Sequence, residues 1–121
     1  MTYTVIAAQF TNHYYKTFDE AREQLRSLYR PHSMLTFEST AVCGEDNILQ
    51  TTHRIGKVVH TIVTFDAQPC GNDGRILVMV TGHMVIDGSE HPQGFSECFQ
   101  LIPENGTYYI LNDIFKLVYP A

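Results

Sequence analysis

The sequence has no tryptophan, only three cysteines and no long apolar run, and each shortage removes a class of protein. Cys43, Cys70 and Cys98 are odd in number and show no CxxC or CxxH spacing. Neither a disulfide framework nor a zinc site is therefore expected, and reduced thiols fit the cytosol or nucleus. His13, His32, His53, His83 and His91 have no metal-ligand spacing either. No metal and no cofactor are expected. Basic residues are scarce: 8 Lys+Arg against 13 Asp+Glu leave a net charge of -5, which disfavours nucleic acid and favours basic protein partners. No stretch approaches the ~18 apolar residues of a spanning helix. The opening Met1-Thr2-Tyr3-Thr4-Val5-Ile6-Ala7-Ala8 lacks the basic start of a signal peptide. A soluble intracellular protein with no membrane partner is expected.

What is present is a globular composition. Hydrophobic residues make up 44% and charged residues 17% of 121 positions. That suits one domain over residues 1–121, able to bury roughly two-thirds of its unfolded surface. Tyr3, Ile6, Ala7, Phe10, Tyr14 and Phe18 recur at threes and fours, the period of an amphipathic helix with one broad buried face. Asp19 is placed to cap a second helix, with Arg22 in its first turn, a stripe of Ala21, Leu25, Leu28 and Tyr29, and Pro31 as its stop. Ser33–Glu38 and Ala41–Cys43 read as strands, Gly44 as a turn, and Glu45 to about Arg54 as a third helix. Beyond Gly56 the pattern becomes strands: Val58–Gln68, Arg75–Asp87, Phe95–Ile102 and Thr107–Tyr119. Gly71-Asn72-Asp73-Gly74 and Glu104-Asn105-Gly106 are hairpin turns, and Asp87-Gly88-Ser89-Glu90-His91-Pro92 is a longer acidic connection. The expected fold is α+β: three N-terminal helices packed in a strongly bent antiparallel sheet, a cone or half-barrel.

The last strand is the most informative segment. Tyr109, Leu111, Asp113, Phe115, Leu117 and Tyr119 share one parity, and Tyr108, Ile110, Asn112, Ile114, Lys116 and Val118 the other. Both faces are apolar, yet helices can cover only one. The second face needs a partner, and a sheet-to-sheet homodimer is the simplest. Asn112 and Asp113 are expected to be structural, pairing with a helix or across the dimer seam. His60 is expected to be a buried, hydrogen-bonded histidine.

Several segments combine into a recognisable order. They are Phe10-Thr11-Asn12-His13-Tyr14-Tyr15, Phe18-Asp19, Leu28-Tyr29, Ser33-Met34-Leu35-Thr36-Phe37-Glu38, His60-Thr61-Ile62, Asp66-Ala67-Gln68-Pro69, Val78-Met79-Val80-Thr81-Gly82 and Asn112-Asp113-Ile114-Phe115-Lys116-Leu117. In order and spacing they resemble the nuclear transport factor 2 family along nearly the whole chain. The resemblance implies a homodimeric carrier, not an enzyme. Such carriers bind the GDP-bound form of the small GTPase Ran, touch the FxFG repeats of nucleoporins and carry Ran-GDP through the nuclear pore. It also implies a location in cytoplasm and nucleus, concentrated at the nuclear envelope.

In that family an aromatic side chain of Ran enters a hydrophobic cavity at the mouth of the cone, and rim carboxylates pair with basic residues of Ran. Carried over, Glu38 is the rim glutamate and Asp87 the first acid of the loop after Gly82. The second loop acid falls on Ser89, or on Glu90 in its stead. Phe37, Met84, Ile86 and Phe115 line the cavity, and Tyr3 takes the place of an N-terminal aromatic that contacts nucleoporin repeats. Two departures stand out. The family's Leu-Pro-Phe segment is replaced by the shorter His53-Arg54-Ile55-Gly56-Lys57, leaving Ile55 and Val58 to fill the cavity wall, and the N-terminal tryptophan is missing.

Without the resemblance the same residues have plainer readings. Phe37 and Phe115 are core aromatics, Glu38 an exposed strand residue, Asp87 a turn carboxylate capping backbone, and Tyr3 a helix-packing residue. Two other functions stay open. One is a related adaptor binding FG-type peptides, of the mRNA-export kind. The other is a cone-fold isomerase or dehydratase in which His60 works with Asp66 or Asp113. His60 and Asp66 share strand parity but are six residues apart, ~20 Å along a strand, too far for a direct bond.

Overall fold

The computed structural model describes residues 2–119. Thr2 caps helix α1 (Tyr3–Glu20) by accepting a hydrogen bond from the Val5 N–H at 3.4 Å. Ala7, Thr11, Tyr14, Tyr15 and Phe18 form its buried face. Tyr3 is not part of that face: it is 41% exposed, which corrects its reading as a packing residue. The second helix also differs from expectation. Arg22–Leu28 is a 3₁₀ helix, entered through Ala21 with no side-chain cap. Asp19 lies within α1 and directs its carboxylate at His60 instead.

Tyr29 begins strand β1 (Tyr29–Phe37) rather than ending a helix, and Pro31 sits inside it. A proline fits there because pairing is irregular between Tyr29 and Met34. The buried Ser33 hydroxyl bridges the gap, accepting from Arg30 N–H at 2.8 Å and donating to the Ile110 carbonyl at 2.5 Å. Short strand β2 (Thr40–Cys43) and helix α2 (Glu45–Arg54) follow. Strands β3 (Val58–Pro69), β4 (Ile76–Ile86), β5 (Gln93–Glu104) and β6 (Thr107–Val118) complete the chain. The turn before β6 has Asn105 and Gly106 at φ 50° and 80°, the mirror-image geometry that suits a tight hairpin.

The sheet runs β2-β1-β6-β5-β4-β3 and does not close on itself. All pairs are antiparallel except β1 with β6, which run parallel, so the expected antiparallel sheet holds with that one exception. Register shifts at Ile62/Thr64 in β3 and opposite Gln100/Leu101 in β6 insert extra residues that bend the strands. The shift in β6 also changes its faces. Ile110, expected on the outer parity, is fully buried with Asp113 and Phe115. The shift in β3 likewise separates His60, whose ring faces the core, from the exposed Asp66.

The helices fill the concave side, where Tyr14, Tyr15 and Phe18 of α1 meet Phe95 and Phe99 of β5 and Val78 and Val80 of β4. Edge-to-face ring contacts tie α1 to the sheet, with Phe10 and Tyr14 at 4.9 and 4.8 Å from Phe99. Arg22 joins the helices. It donates to the carbonyls of Phe18 and Thr52 at 2.9 and 2.8 Å and lies over the Phe18 ring. The convex face has no helix on it. Val59, Leu77, Met79, Ile114 and Val118 are exposed there, Met79 and Ile114 by 52% and 55%.

Candidate binding cavity

Where β1, β6 and β4 diverge beneath α2, the open end of the sheet encloses a depression of about 510 Å³. Five of the residues picked out from sequence lie on its wall: Phe37, Glu38, Met84, Ile86 and Phe115. Phe37 and Phe115 are paired across the parallel β1–β6 ladder, and their rings stack at 4.6 Å, only 7° from parallel. Phe95 continues the stack beneath Phe115 at 5.7 Å. Phe115 is thus both core and wall: the core reading and the cavity reading describe two sides of one ring. Ile55 lines the cavity, as the shortened segment suggested, whereas Val58 is buried in the core.

Glu38 is more constrained than an exposed rim carboxylate. Its backbone is at φ 47°, and its N–H continues the ladder to the Phe115 carbonyl at 3.1 Å. One carboxylate oxygen accepts from the Leu117 N–H, and the other lies 3.7 Å from Lys116 Nζ. The side chain remains 29% exposed, so it faces the cavity while clamping β1 to β6.

Asp87 lies outside the cavity wall. Its Oδ1 accepts from the Lys57 N–H at 2.9 Å, and its own N–H donates to the Lys57 carbonyl at 2.7 Å. Gly56 lies directly against this carboxylate, at φ 96°, and a Cβ there would come within 2.7 Å of its oxygens. Asp87 therefore caps backbone, as the plainer reading held, but that of the β3 entry rather than its own turn. Ser89 and Glu90 follow on the same exposed loop; the Ser89 hydroxyl accepts from the His91 N–H at 3.1 Å, so Ser89 acts as a turn residue. Tyr3 is at the far end of α1 and takes no part in the cavity.

Sequence reasoning missed several wall residues. Leu117 shares parity with Phe115 and was within reach. Thr51 and Arg54 come from α2, and Val42 and Gln93 from other elements. These carry no local signal, because only the fold brings α2 over the β1–β6 mouth. Arg54 places a cation on the same wall as Glu38.

Under the cavity a slot of about 10 Å³ is bounded partly by polar groups, Tyr14, His60 and Glu97 among them. His60 donates from its backbone N–H to Asp19 Oδ2 at 2.8 Å and from Nδ1 to Oδ1 at 2.6 Å. A carboxylate only accepts, so Nδ1 carries a proton. The expected buried, bonded histidine is found, with its partner on α1 rather than in the sheet. Tyr15 O–H donates to Glu97 Oε1 at 2.8 Å, and Tyr29 O–H to Asp113 Oδ2 at 2.7 Å. Tyr14 lies 3.0 Å from the Tyr29 hydroxyl and 3.5 Å from Asp113 Oδ2. Asp113 thus pairs chiefly with Tyr29 of β1, and the expected helix partner, Tyr14 of α1, is the more distant of the two. Burial raises all three tyrosines well above their ordinary range, with the nearby carboxyl groups adding to it, so they remain O–H donors.

A sheet curled around helices, with an apolar cavity at its mouth and a carboxylate on the rim, defines a class: the α+β cone-fold domains. The chain belongs to the nuclear transport factor 2 family, since the model of the Nuclear transport factor 2 (NTF2) domain matches residues 6–117. It is 46% identical over 123 residues to nuclear transport factor 2 of Candida glabrata, covering 100% of this chain and 98% of that protein. Nuclear transport factor 2 of Saccharomyces cerevisiae is 45% identical over 123 residues, with the same coverage. Among solved structures, nuclear transport factor 2 from Cryptosporidium parvum superposes with a TM-score of 0.89 at 40% identity, covering 96% of this chain and 94% of that one.

Proposed function

We propose that this chain, as one domain over residues 1–121, is a nuclear import carrier. It acts as a homodimer that binds GDP-bound Ran in the cavity, contacts FxFG nucleoporin repeats and moves Ran-GDP through the nuclear pore, between cytoplasm and nucleus. The reading rests on likeness over the whole chain to proteins named nuclear transport factor 2. The stacked Phe37–Phe115 wall beside Glu38 supports it. An apolar wall gives an inserted aromatic ring the desolvated seat typical of an interface hot spot. A partly exposed carboxylate next to it sets the orientation of a basic partner. Glu38 is better placed for this than Asp87 or Glu90, because it faces the cavity itself. No catalytic step belongs to the reading: His60, Glu97 and Asp113 are engaged in fixed pairs, and Asp66 is on the opposite face of the sheet.

Calorimetric titration of the protein with Ran is the direct test. Binding of the GDP-loaded form with none by the GTP-loaded form is expected; binding of neither would remove the carrier reading.

The uncovered convex face supports the homodimer. Met79, Cys98 and Ile114 form one row across β4, β5 and β6, continued by Leu77 on the next pair, an apolar surface of the kind that seeks a partner. Met79→Arg is expected to convert a dimer into a monomer in sedimentation at micromolar protein while Tyr and Phe packing on the concave side is kept. A parent protein that sediments as a monomer would rule out the dimer.

A further inference from the structure

Glu97 of β5 and Asp113 of β6 are the buried carboxyl groups of the described core, 5% and 1% exposed. Glu97 pairs with Phe115 and Asp113 with Phe99, so the two acids are diagonal neighbours on the concave face. The tyrosines that bond them, Tyr15 for Glu97 and Tyr14 for Asp113, are themselves in ring contact at 5.0 Å. Among the described residues neither forms an ion pair with a Lys, Arg or His. His60, close by on β3, is committed to Asp19. Two bare carboxylates side by side without a counter-charge would be expensive to bury, and neither could donate to the other. Asp113 Oδ1, moreover, is buried with no hydrogen-bond partner. A single proton on the free Glu97 oxygen removes one charge and supplies the missing donor.

We infer that Glu97 and Asp113 share one proton in the folded protein, carried on Glu97 and donated to Asp113 Oδ1. Asp113 is the better carboxylate, because the hydroxyls of Tyr29 and Tyr14 both converge on its Oδ2, whereas Glu97 has Tyr15 alone. Burial, followed by the charge of Asp113, raises the Glu97 carboxyl well above the ordinary glutamate range. Burial raises Asp113 as well, but hydrogen bonds from Glu97, Tyr29 and Tyr14 oppose that rise. The groups facing the pair are Tyr14 and Tyr15 from α1, Tyr29 from β1, and His60 of β3 with its partner Asp19. Next to Glu97 in β5, the Cys98 thiol is also raised by burial. The inference does not depend on what occupies the cavity.

The consequence is a stability that declines with pH. The unfolded chain releases the Glu97 proton near ~4.3, whereas the folded protein keeps it. The folded state then binds one more proton, so its advantage is complete below the unfolded value and is lost as pH rises toward the raised folded one. Over that window the unfolding constant grows about tenfold per pH unit.

The test compares the full-length parent with Glu97→Gln, whose amide keeps both a donor for Asp113 and an acceptor for Tyr15. Infrared difference spectra at neutral pH should show the carbonyl stretch of a protonated carboxylic acid in the parent and not in the variant. Urea unfolding between about pH 5 and about pH 8 should give the variant a slope shallower by one proton, with stability at the upper end equal to or above the parent's. Absence of that band in the parent, an unchanged slope in the variant, or a variant that fails to fold would each overturn the inference.

Discussion

Gly82→Ala is expected to lower stability by ~3 kcal/mol or more, at the upper end for an overpacked site. Gly82 is on the concave side of β4, opposite Phe95 and next to the irregular stretch of β3. A Cβ there would overlap the Thr61 carbonyl oxygen and come within 3.2 Å of both the Ile62 Cα and the Phe95 ring. Two of the three neighbours are backbone of a paired strand, and the third is a ring only 1% exposed, so none yields cheaply. The missing side chain lets β3 and β4 approach closely where the sheet bends. In urea the variant should show a lower midpoint with an unchanged slope. A midpoint equal to the parent's would mean the strands can part at Gly82 without cost.

Glu38→Lys is expected to abolish Ran-GDP binding, a loss on the order of 2–5 kcal/mol if the rim pair is desolvated in the complex. The same change also harms the free protein. It removes the acceptor of the Leu117 N–H and sets two lysines side by side at the β1–β6 edge, costing about 1–3 kcal/mol. Reversing the charge therefore mixes binding with folding, contrary to the simple picture of an exposed strand residue. Glu38→Gln separates them. Its amide oxygen can still accept from Leu117 while the charge is gone, so it should keep the parent's unfolding midpoint and still bind Ran-GDP at least tenfold more weakly. Calorimetric titration and urea unfolding of both variants give the two readings. If the Gln variant retained full affinity, the charge recognised by the partner would have to lie elsewhere on the rim.

Most of the architecture was legible in the chain because it follows from local rules. The 3.6 period placed α1, apolar strand runs placed β3 to β6, and Asn105-Gly106 marked the hairpin. The misreadings have a common origin in pairing between distant segments. Tyr29 looked helical by its spacing from Leu25, yet it pairs with Ile110 and its hydroxyl reaches Asp113, a tertiary bond stronger than local propensity. Asp19 fitted a cap by position but was drawn to the backbone and ring of His60. An inserted residue in β6 turned Ile110 inward, which period-2 counting cannot foresee.

The sequence by itself determined the class of fold, the family, the apolar surplus on both faces of the sheet and the aromatic composition of the cavity, because these rest on residue type and near-neighbour spacing. Only the tertiary structure decided what the charged groups do. It turned Asp87 toward the β3 entry, attached Glu38 to the β6 backbone and set Glu97 diagonally beside Asp113. A carboxyl group's role is set by the donors and burial around it, and here those come from strands and helices far apart in the chain.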